Sequence, residues 1–262
     1  MITLYNVKGD RLRDPNSLVV MCFNAQYWKG LNSKDELVQA ILNTHKPDII
    51  AIQELAESKD GKSVYTTFFK EYPYHYYAGS GLGIVSKYQL MNCESVTYTA
   101  QGEEYTRKYI KAYIIFNHQQ ICLFNTHLEI MPTTEESRAV RVSQAQELLN
   151  AMKAERYAIS MGDYNCGDCH DMTDPDYIAV IKPFLDEGYH SANSSNQHGF
   201  LATYYKGTSV NDYTRYACID EIITTSNIDI NGVTVDKQKS DANMDGEALD
   251  HLPIIAYCCV NG

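Results

Sequence analysis

Ser160-Met161-Gly162-Asp163-Tyr164-Asn165 closes an apolar run that begins at Arg156, and it sets Asp163 and Asn165 two residues apart just past a glycine. In extended backbone, side chains two apart share one side. A carboxylate and a carboxamide therefore leave the end of this run together. Such a pair can hold a metal-bound phosphate and the water that attacks it, provided other acidic, amide and imidazole groups converge on the same spot.

Other apolar runs end in the same way. Val20, Cys22 and Asn24 share a face, as do Ile50, Ile52 and Glu54, and then Ile121, Leu123, Asn125 and His127. Asp220 follows Tyr216-Ala-Cys-Ile219, and Asp250-His251 stands just ahead of Leu252 to Val260. Each polar tip taken alone reads most simply as a strand cap or a partner for a nearby backbone amide. Their recurrence along one chain points instead to a shared site.

The β-type runs are Ser17 to Asn24, Asp48 to Glu54, Gly83 to Ser86, Tyr109 to Phe116, Gln120 to Leu128, Arg156 to Asp163, Cys218 to Thr224 and Pro253 to Val260. Ser33-Lys-Asp-Glu36 reads as a capping box that opens a helix through Leu37, Ala40 and Ile41, ending before Pro47. A second helix begins near Thr133-Thr-Glu-Glu136 and carries Val142, Ala145, Leu148, Leu149 and Met152 on one stripe. Between the helices come hairpin-like strand pairs with no room for a crossover helix, such as Tyr109 to Phe116 followed by Gln120 to Leu128. The expectation is an α/β chain of mixed sheets covered by a few helices. No repeat, low-complexity tract or linker marks a boundary, so residues 1–262 are expected to form a single domain, with 1–16 an N-terminal extension able to add a strand.

The chain has 262 residues, 33 acidic against 22 basic, a net charge of −11 and a pI near 5.1. That field repels nucleic-acid phosphate, so a phosphate ligand must be held locally, through a divalent cation. Met1 to Arg13 lacks the apolar core of a signal peptide, and no apolar run approaches the roughly 20 residues of a membrane span. A cytoplasmic monomer without stable membrane association is expected. Of the eight cysteines, Cys22, Cys122, Cys218 and Cys258 sit in apolar runs, where a thiol is a small hydrophobe. Cys166-Gly-Asp-Cys169-His170 spells a haem-attachment pattern, but covalent haem needs export and zinc needs a second ligand pair, so these read as loop cysteines after a strand.

The residue types fit one task. A hard cation such as Mg²⁺ takes oxygen ligands, is held by one or two carboxylates, and keeps several waters. Glu54 suits the first ligand, with Asn24 and Asp250 close by, directly or through water. Either Asp163 or His251 can take the proton of the attacking water, and Asp220 is the candidate carboxylate for the other nitrogen of His251. Asn165 and His127 are candidate donors to the phosphate.

Phe23-Asn24, Ile52-Gln53-Glu54, Gly83-Ile-Val-Ser86, Asn125-Thr-His127-Leu128, Gly162-Asp-Tyr-Asn165, Ile219-Asp220 and Asp250-His251-Leu-Pro253 resemble, in order, the motifs of the endonuclease/exonuclease/phosphatase superfamily. The resemblance runs from about Val19 to Tyr257. It implies a deoxyribonuclease I-like four-layer α/β sandwich, two mixed sheets face to face with helices outside, and Mg²⁺ or Mn²⁺ at the strand ends. It places Glu54 and Asn24 at the metal, Asp163 and Asn165 around nucleophile and phosphate, His127 on the phosphate, and Asp220 with His251. Arg141 and Gln144 resemble an Arg-x-x-Gln of the family, with an anchoring role for that helix favoured. Departures from the usual pattern are Leu249 where a Ser commonly stands, Glu221 after Asp220, and Ala25-Gln26 after Asn24; strand alternation should turn Glu221 away from the site. The implied enzyme hydrolyses phosphoric ester bonds. A nuclease or end-processing phosphodiesterase acting on nucleic-acid ends or single strands is favoured. A phosphatase or phospholipase C-like hydrolase on a small metabolite or lipid head group is the alternative, and a non-catalytic binding module the last. Arg107, Lys108 and Tyr204 are the candidate substrate-binding residues.

Overall fold

Along its whole length Ser17–Asn24 is buried, on both faces of the strand it forms, as expected for a strand in the middle of a sheet that is itself covered on both sides. The computed structural model describes residues 17–26, 33–56, 58–59, 62–130, 134–166, 173–192, 203–205, 216–236 and 251–261. In chain order come β1 (Ser17–Asn24), α1 (Ser33–His45), β2 (Ile49–Gln53), β3 (Ser58–Lys59), β4 (Lys62–Ser63), α2 (Val64–Phe68), β5 (Tyr74–Gly79) and β6 (Leu82–Ser86). Then follow β7 (Met91–Thr97), β8 (Lys108–Phe116), β9 (Gln119–His127), α3 (Glu135–Lys153), β10 (Ala158–Asp163), α4 (Pro175–Val180) and α5 (Lys182–Asp186). The last strands are β11 (His190–Ser191), β12 (Tyr204–Tyr205), β13 (Tyr216–Ala217), β14 (Asp220–Thr224), β15 (Ile228–Val235) and β16 (Ile254–Val260).

Two sheets of six strands result, ordered β15-β16-β1-β2-β6-β5 and β11-β14-β10-β9-β8-β7. Each has one parallel pair, β1 with β2 and β9 with β10, among antiparallel ones. The strand alternation sorts the core into layers. Leu18, Val20, Cys22, Leu123, Ile159, Met161 and Ile222 meet between the sheets. Val19, Met21, Ile50 and Ile52 face outward under Val38 and Ile41 of α1. Phe124 and Ala158 face outward under Leu148, Leu149 and Met152 of α3, with Phe184 of α5. This is the expected helix–sheet–sheet–helix sandwich.

All eight expected runs form strands, and the two expected helices form. The strands missed at any length are β5, β7 and β15, and all three lie at sheet edges. An edge strand has one neighbour and more exposed side chains, as the half-open patterns of β5 and β7 show, so it leaves no continuous apolar run to read. Three short helices were missed as well; α2, α4 and α5 have five or six residues each, too few for periodicity to register. The N-cap of α3 is Thr134, whose hydroxyl accepts from Ser137 N at 3.2 Å; Thr133, residues 1–16, Cys169 and His170, Leu249 and Asp250 lie outside the described residues. Tyr72 is core, donating its hydroxyl to Pro47 O at 2.8 Å. The seven described cysteines are free thiols. No helix among the described residues is long and apolar enough to cross a membrane.

Arg141 takes the anchoring role expected of it. Wholly buried, it donates through Nη1 to Ile130 O at 2.9 Å and through Nη2 to Asp176 at 3.2 Å, while Gln144 joins Glu129 N to Ala100 O. Those bonds tie α3 to the turn after β9 and to α4. At Gly162 a Cβ would lie 2.5 Å from Thr126 O on neighbouring β9. A Gly162→Ala protein is therefore expected to lose about 1–3 kcal/mol of stability, read as a lower midpoint in urea denaturation. An unchanged midpoint would mean that β9 yields freely there.

Candidate active site

The register brings the polar tips to one end of the sandwich. Asn24 stands opposite Gln53, and Asp163 stands between His127 on one side and Asp220 on the other. Side chains from both sheets then converge on a single carboxylate. Asn24 donates its Nδ2 to Asp163 Oδ2 at 3.0 Å; His127 Nε2 approaches the same oxygen at 3.4 Å and His251 Nε2 at 3.8 Å. Asp163 Oδ1 accepts the backbone N–H of Asn165 at 2.9 Å. Asn165 can turn this way because its backbone is left-handed, φ +49°, a conformation that asparagine tolerates.

The expected pairing of Asp220 with His251 is present, Nδ1 to Oδ2 at 2.8 Å with both residues buried. Thr203 supports it from below: its hydroxyl accepts the backbone N–H of Asp220 at 3.0 Å, and its carbonyl accepts that of Leu252 at 2.6 Å. Tyr204 lies against the imidazole of His251, ring centres 4.7 Å apart. Glu221 turns away from the site, as alternation requires, and accepts the hydroxyl of Ser191 at 3.0 Å.

Burial, and then the charge of Asp220, push the Asp163 carboxyl up to about 7 against the opposing pull of His251 and its hydrogen bonds. Burial, together with the charges of Arg107 and His251, holds His127 well below the ordinary imidazole range, so it stays neutral. Arg107 is buried at 7% exposure, its Nε meets no hydrogen-bond partner among the described residues, and its guanidinium sits 5.0 Å from the Tyr105 ring. Lys108 opens β8, half-buried.

Glu54 stands one residue past the end of β2, half-buried, with φ +48°. A glutamate holds such a backbone only when its surroundings enforce it. Here Gly81, itself at φ +74°, lets the two chains approach so closely that a Cβ on it would lie 3.1 Å from Glu54 Cα. Asn24 Oδ1 accepts Gln26 N at 3.0 Å, which fixes how the amide faces.

Asn125 has a different task from its neighbours on the strand. Its Nδ2 donates to Ile52 O and Gly83 O, at 2.9 and 2.8 Å, while its Oδ1 accepts Gln53 Nε2 at 2.6 Å. Gln53 and Asn125 thus bolt the two sheets together directly beneath the site, a role the sequence signalled only by two amides at the ends of apolar runs.

A family model described as Endonuclease/Exonuclease/phosphatase family matches residues 4–204. That stretch holds Asn24, Glu54, His127, Asp163 and Asn165; Asp220 and His251 lie beyond it and are joined to the others by the fold. No curated protein sequence matches the chain significantly. Among solved structures, an endonuclease/exonuclease/phosphatase from Beutenbergia cavernae is similar at TM-score 0.72 and 13% identity, covering 94% of this chain and 72% of that one. D. rerio TDP2 complexed with single strand DNA product is similar at TM-score 0.71 and 17% identity over 92% and 98%. The human Nocturnin catalytic domain with bound sulfate anion is similar at TM-score 0.69 and 16% identity, over 95% of each chain.

Proposed function

Since the chain belongs to the endonuclease/exonuclease/phosphatase family, we propose that it is a divalent-metal-dependent phosphoesterase that hydrolyses a phosphodiester of a nucleic-acid end or short single strand by attack of an activated water. The observation that carries this reading is the convergence of Asn24, His127 and the Asp220–His251 pair on one oxygen of Asp163. A structural cap needs one donor; here amide and imidazole groups from both sheets meet at a buried carboxylate. The likeness to TDP2 carrying a single strand DNA product favours the nucleic-acid substrate, as does the buried guanidinium of Arg107, whose charge is felt at His127.

The donor chemistry fits Mg²⁺ or Mn²⁺. Asp163, Asp220 and His251 each place one ligand atom within 4.8 Å of the others, but Asp220 and His251 engage each other through Nδ1, so we read these three as the proton-handling group. Glu54 and the amide oxygen of Asn24, with Asp250, would hold the ion. When bound, such an ion neutralises charge on the phosphate oxygens and makes a coordinated water more acidic.

The protein's own groups do the rest. Asp163, held by the amide of Asn24 and the N–H of Asn165, orients the water and, with His251 Nε2 3.8 Å away, forms the acceptor pair for its proton. Asp220 fixes the ring of His251 and offsets the charge it gains. Neutral His127 donates to a phosphate oxygen. Asn165 spends one amide hydrogen on Leu128 O at 3.0 Å and has a second for the phosphate. Arg107 binds the phosphate chain, and the Tyr204 ring stacks beside the leaving group.

The test is a metal-supplemented panel of single-stranded, nicked, abasic and 5′-tyrosyl DNA, RNA, sphingomyelin and inositol phosphates. Turnover of an oligonucleotide with Mg²⁺ or Mn²⁺ is expected to fall to background on adding EDTA and to return with excess metal. Turnover that persists in EDTA would sink the metal-dependent reading, and hydrolysis of only the lipid or the inositol phosphates would move the substrate to the metabolite class.

A further inference from the structure

Past the end of β9 the chain turns through Leu128 to Ile130, beneath the loop of residues 101–104 and against the first turns of α3. These segments line a half-open pocket of about 300 Å³. Its lining includes Glu103, Glu104, Glu129 and Glu136, with Gly102 forming part of the wall, and among the described residues no basic side chain. Glu103, Glu104 and Glu136 are exposed at the rim, whereas Glu129 is 4% exposed.

Glu129 is the decisive residue. Its Oε2 accepts no hydrogen bond from the described residues, although a buried carboxylate without a partner is costly. Nor is its position an accident of a loose loop. The backbone N–H of Glu129 donates to Gln144 Oε1 at 2.8 Å, and its carbonyl accepts from buried Arg141 at 3.4 Å. The carboxylate presses against Gly102 so closely that a Cβ there would lie 2.5 Å from Oε2, so the glycine makes room for the acid. The hydroxyls on the helix side are engaged in the α3 cap, Thr134 accepting Ser137 N and Ser137 donating to Thr134 O at 3.0 Å. Among the described residues no donor reaches Oε2, and the Nη groups of the buried Arg141 nearby are turned to the Glu129 and Ile130 carbonyls and to Asp176.

A pocket of this size exceeds what a single Mg²⁺, with oxygens about 2.0–2.1 Å away, would need. It suits a cation with a hydrocarbon body, whose ammonium head pairs with Glu129 and whose remaining charge meets the rim. We propose that this pocket binds an organic ammonium ion, a diamine or polyamine, with Glu129 as the buried partner and Glu103, Glu104 and Glu136 as the outer ones. On a chain of net charge −11, a cation two residues past His127 offsets part of the negative field that a phosphate substrate meets.

The test is isothermal titration calorimetry on the full chain with spermidine and 1,3-diaminopropane, and with MgCl₂ alone. Saturable one-to-one amine binding is expected, weakened about tenfold or more in Glu129→Gln, which removes a charge-assisted hydrogen bond worth more than the 1.4 kcal/mol of one decade. Gly102→Ala, whose methyl displaces the carboxylate, is expected to weaken binding likewise, and serves if Glu129→Gln folds poorly. Absence of saturable amine binding, amine binding unchanged in both variants, or Mg²⁺ binding that needs Glu129 while the amines do not compete with it would each overturn the proposal. Calorimetry reads binding without turnover, so failure here and failure of the phosphoesterase reading are separate results.

Discussion

Asp163→Asn is expected to lower oligonucleotide or bis-p-nitrophenyl phosphate turnover by about 10²- to 10⁴-fold, the loss typical of a positioned acid or base, while making the metal-free protein more stable at pH 8. The two effects share a cause. Burial and the charge of Asp220 raise the Asp163 carboxyl from 3.8 to about 7, so the folded state holds this proton more tightly than the unfolded chain does. Its contribution to stability is complete below about pH 4 and is lost as pH rises through 7. Because burial and the charge of Asp220 outweigh the opposing pull of His251, the ionised form costs the fold an amount on the order of a few kcal/mol. Asparagine carries no such charge. Melting in EDTA at pH 5 and pH 8 should therefore show wild type losing more Tm than the variant. A variant that retains turnover, or that melts below wild type at pH 8, would remove Asp163 from the centre of the site.

The second large effect concerns His251 and Asp220. His251→Ala and Asp220→Asn are each expected to cost about 10² to 10⁴ in kcat. The double variant should be no worse than the more damaged single one, because groups that act as a unit lose their effect once. Stability should separate the two roles. His251→Ala removes the ring from a buried carboxylate whose Oδ1 already lacks a partner among the described residues, at a cost of about 3–5 kcal/mol. Adding Asp220→Asn should recover much of that stability and none of the activity. Losses in kcat that multiply in the double variant would show the pair working independently.

How much of this was legible in the chain depends on what a residue's own neighbours report. Asn24, Glu54, His127 and Asp163 stood out because each ends a run apolar enough to be a central strand, and a polar group at such an end needs a partner. Asp220 and His251 stood out less, and their contact joins residues 31 apart. Arg107 and Lys108 stand out together as candidate substrate-binding residues, and it is Arg107 that is buried with its charge felt at His127. Lys108 is half-buried and carries no contact that would place it on a substrate.

The sequence by itself determined the central strands, the two long helices and the identities of the acids, amides and imidazoles at the strand ends, because alternation and apolar runs encode burial locally. Only the tertiary structure decided which strands became edges, that Gln53 and Asn125 would clamp the sheets 72 residues apart in sequence, and that Glu129 would face a pocket opposite Gly102. Those outcomes depend on lateral register and on the packing of one sheet against another, which bring together groups far apart along the chain and leave no period in the sequence to read.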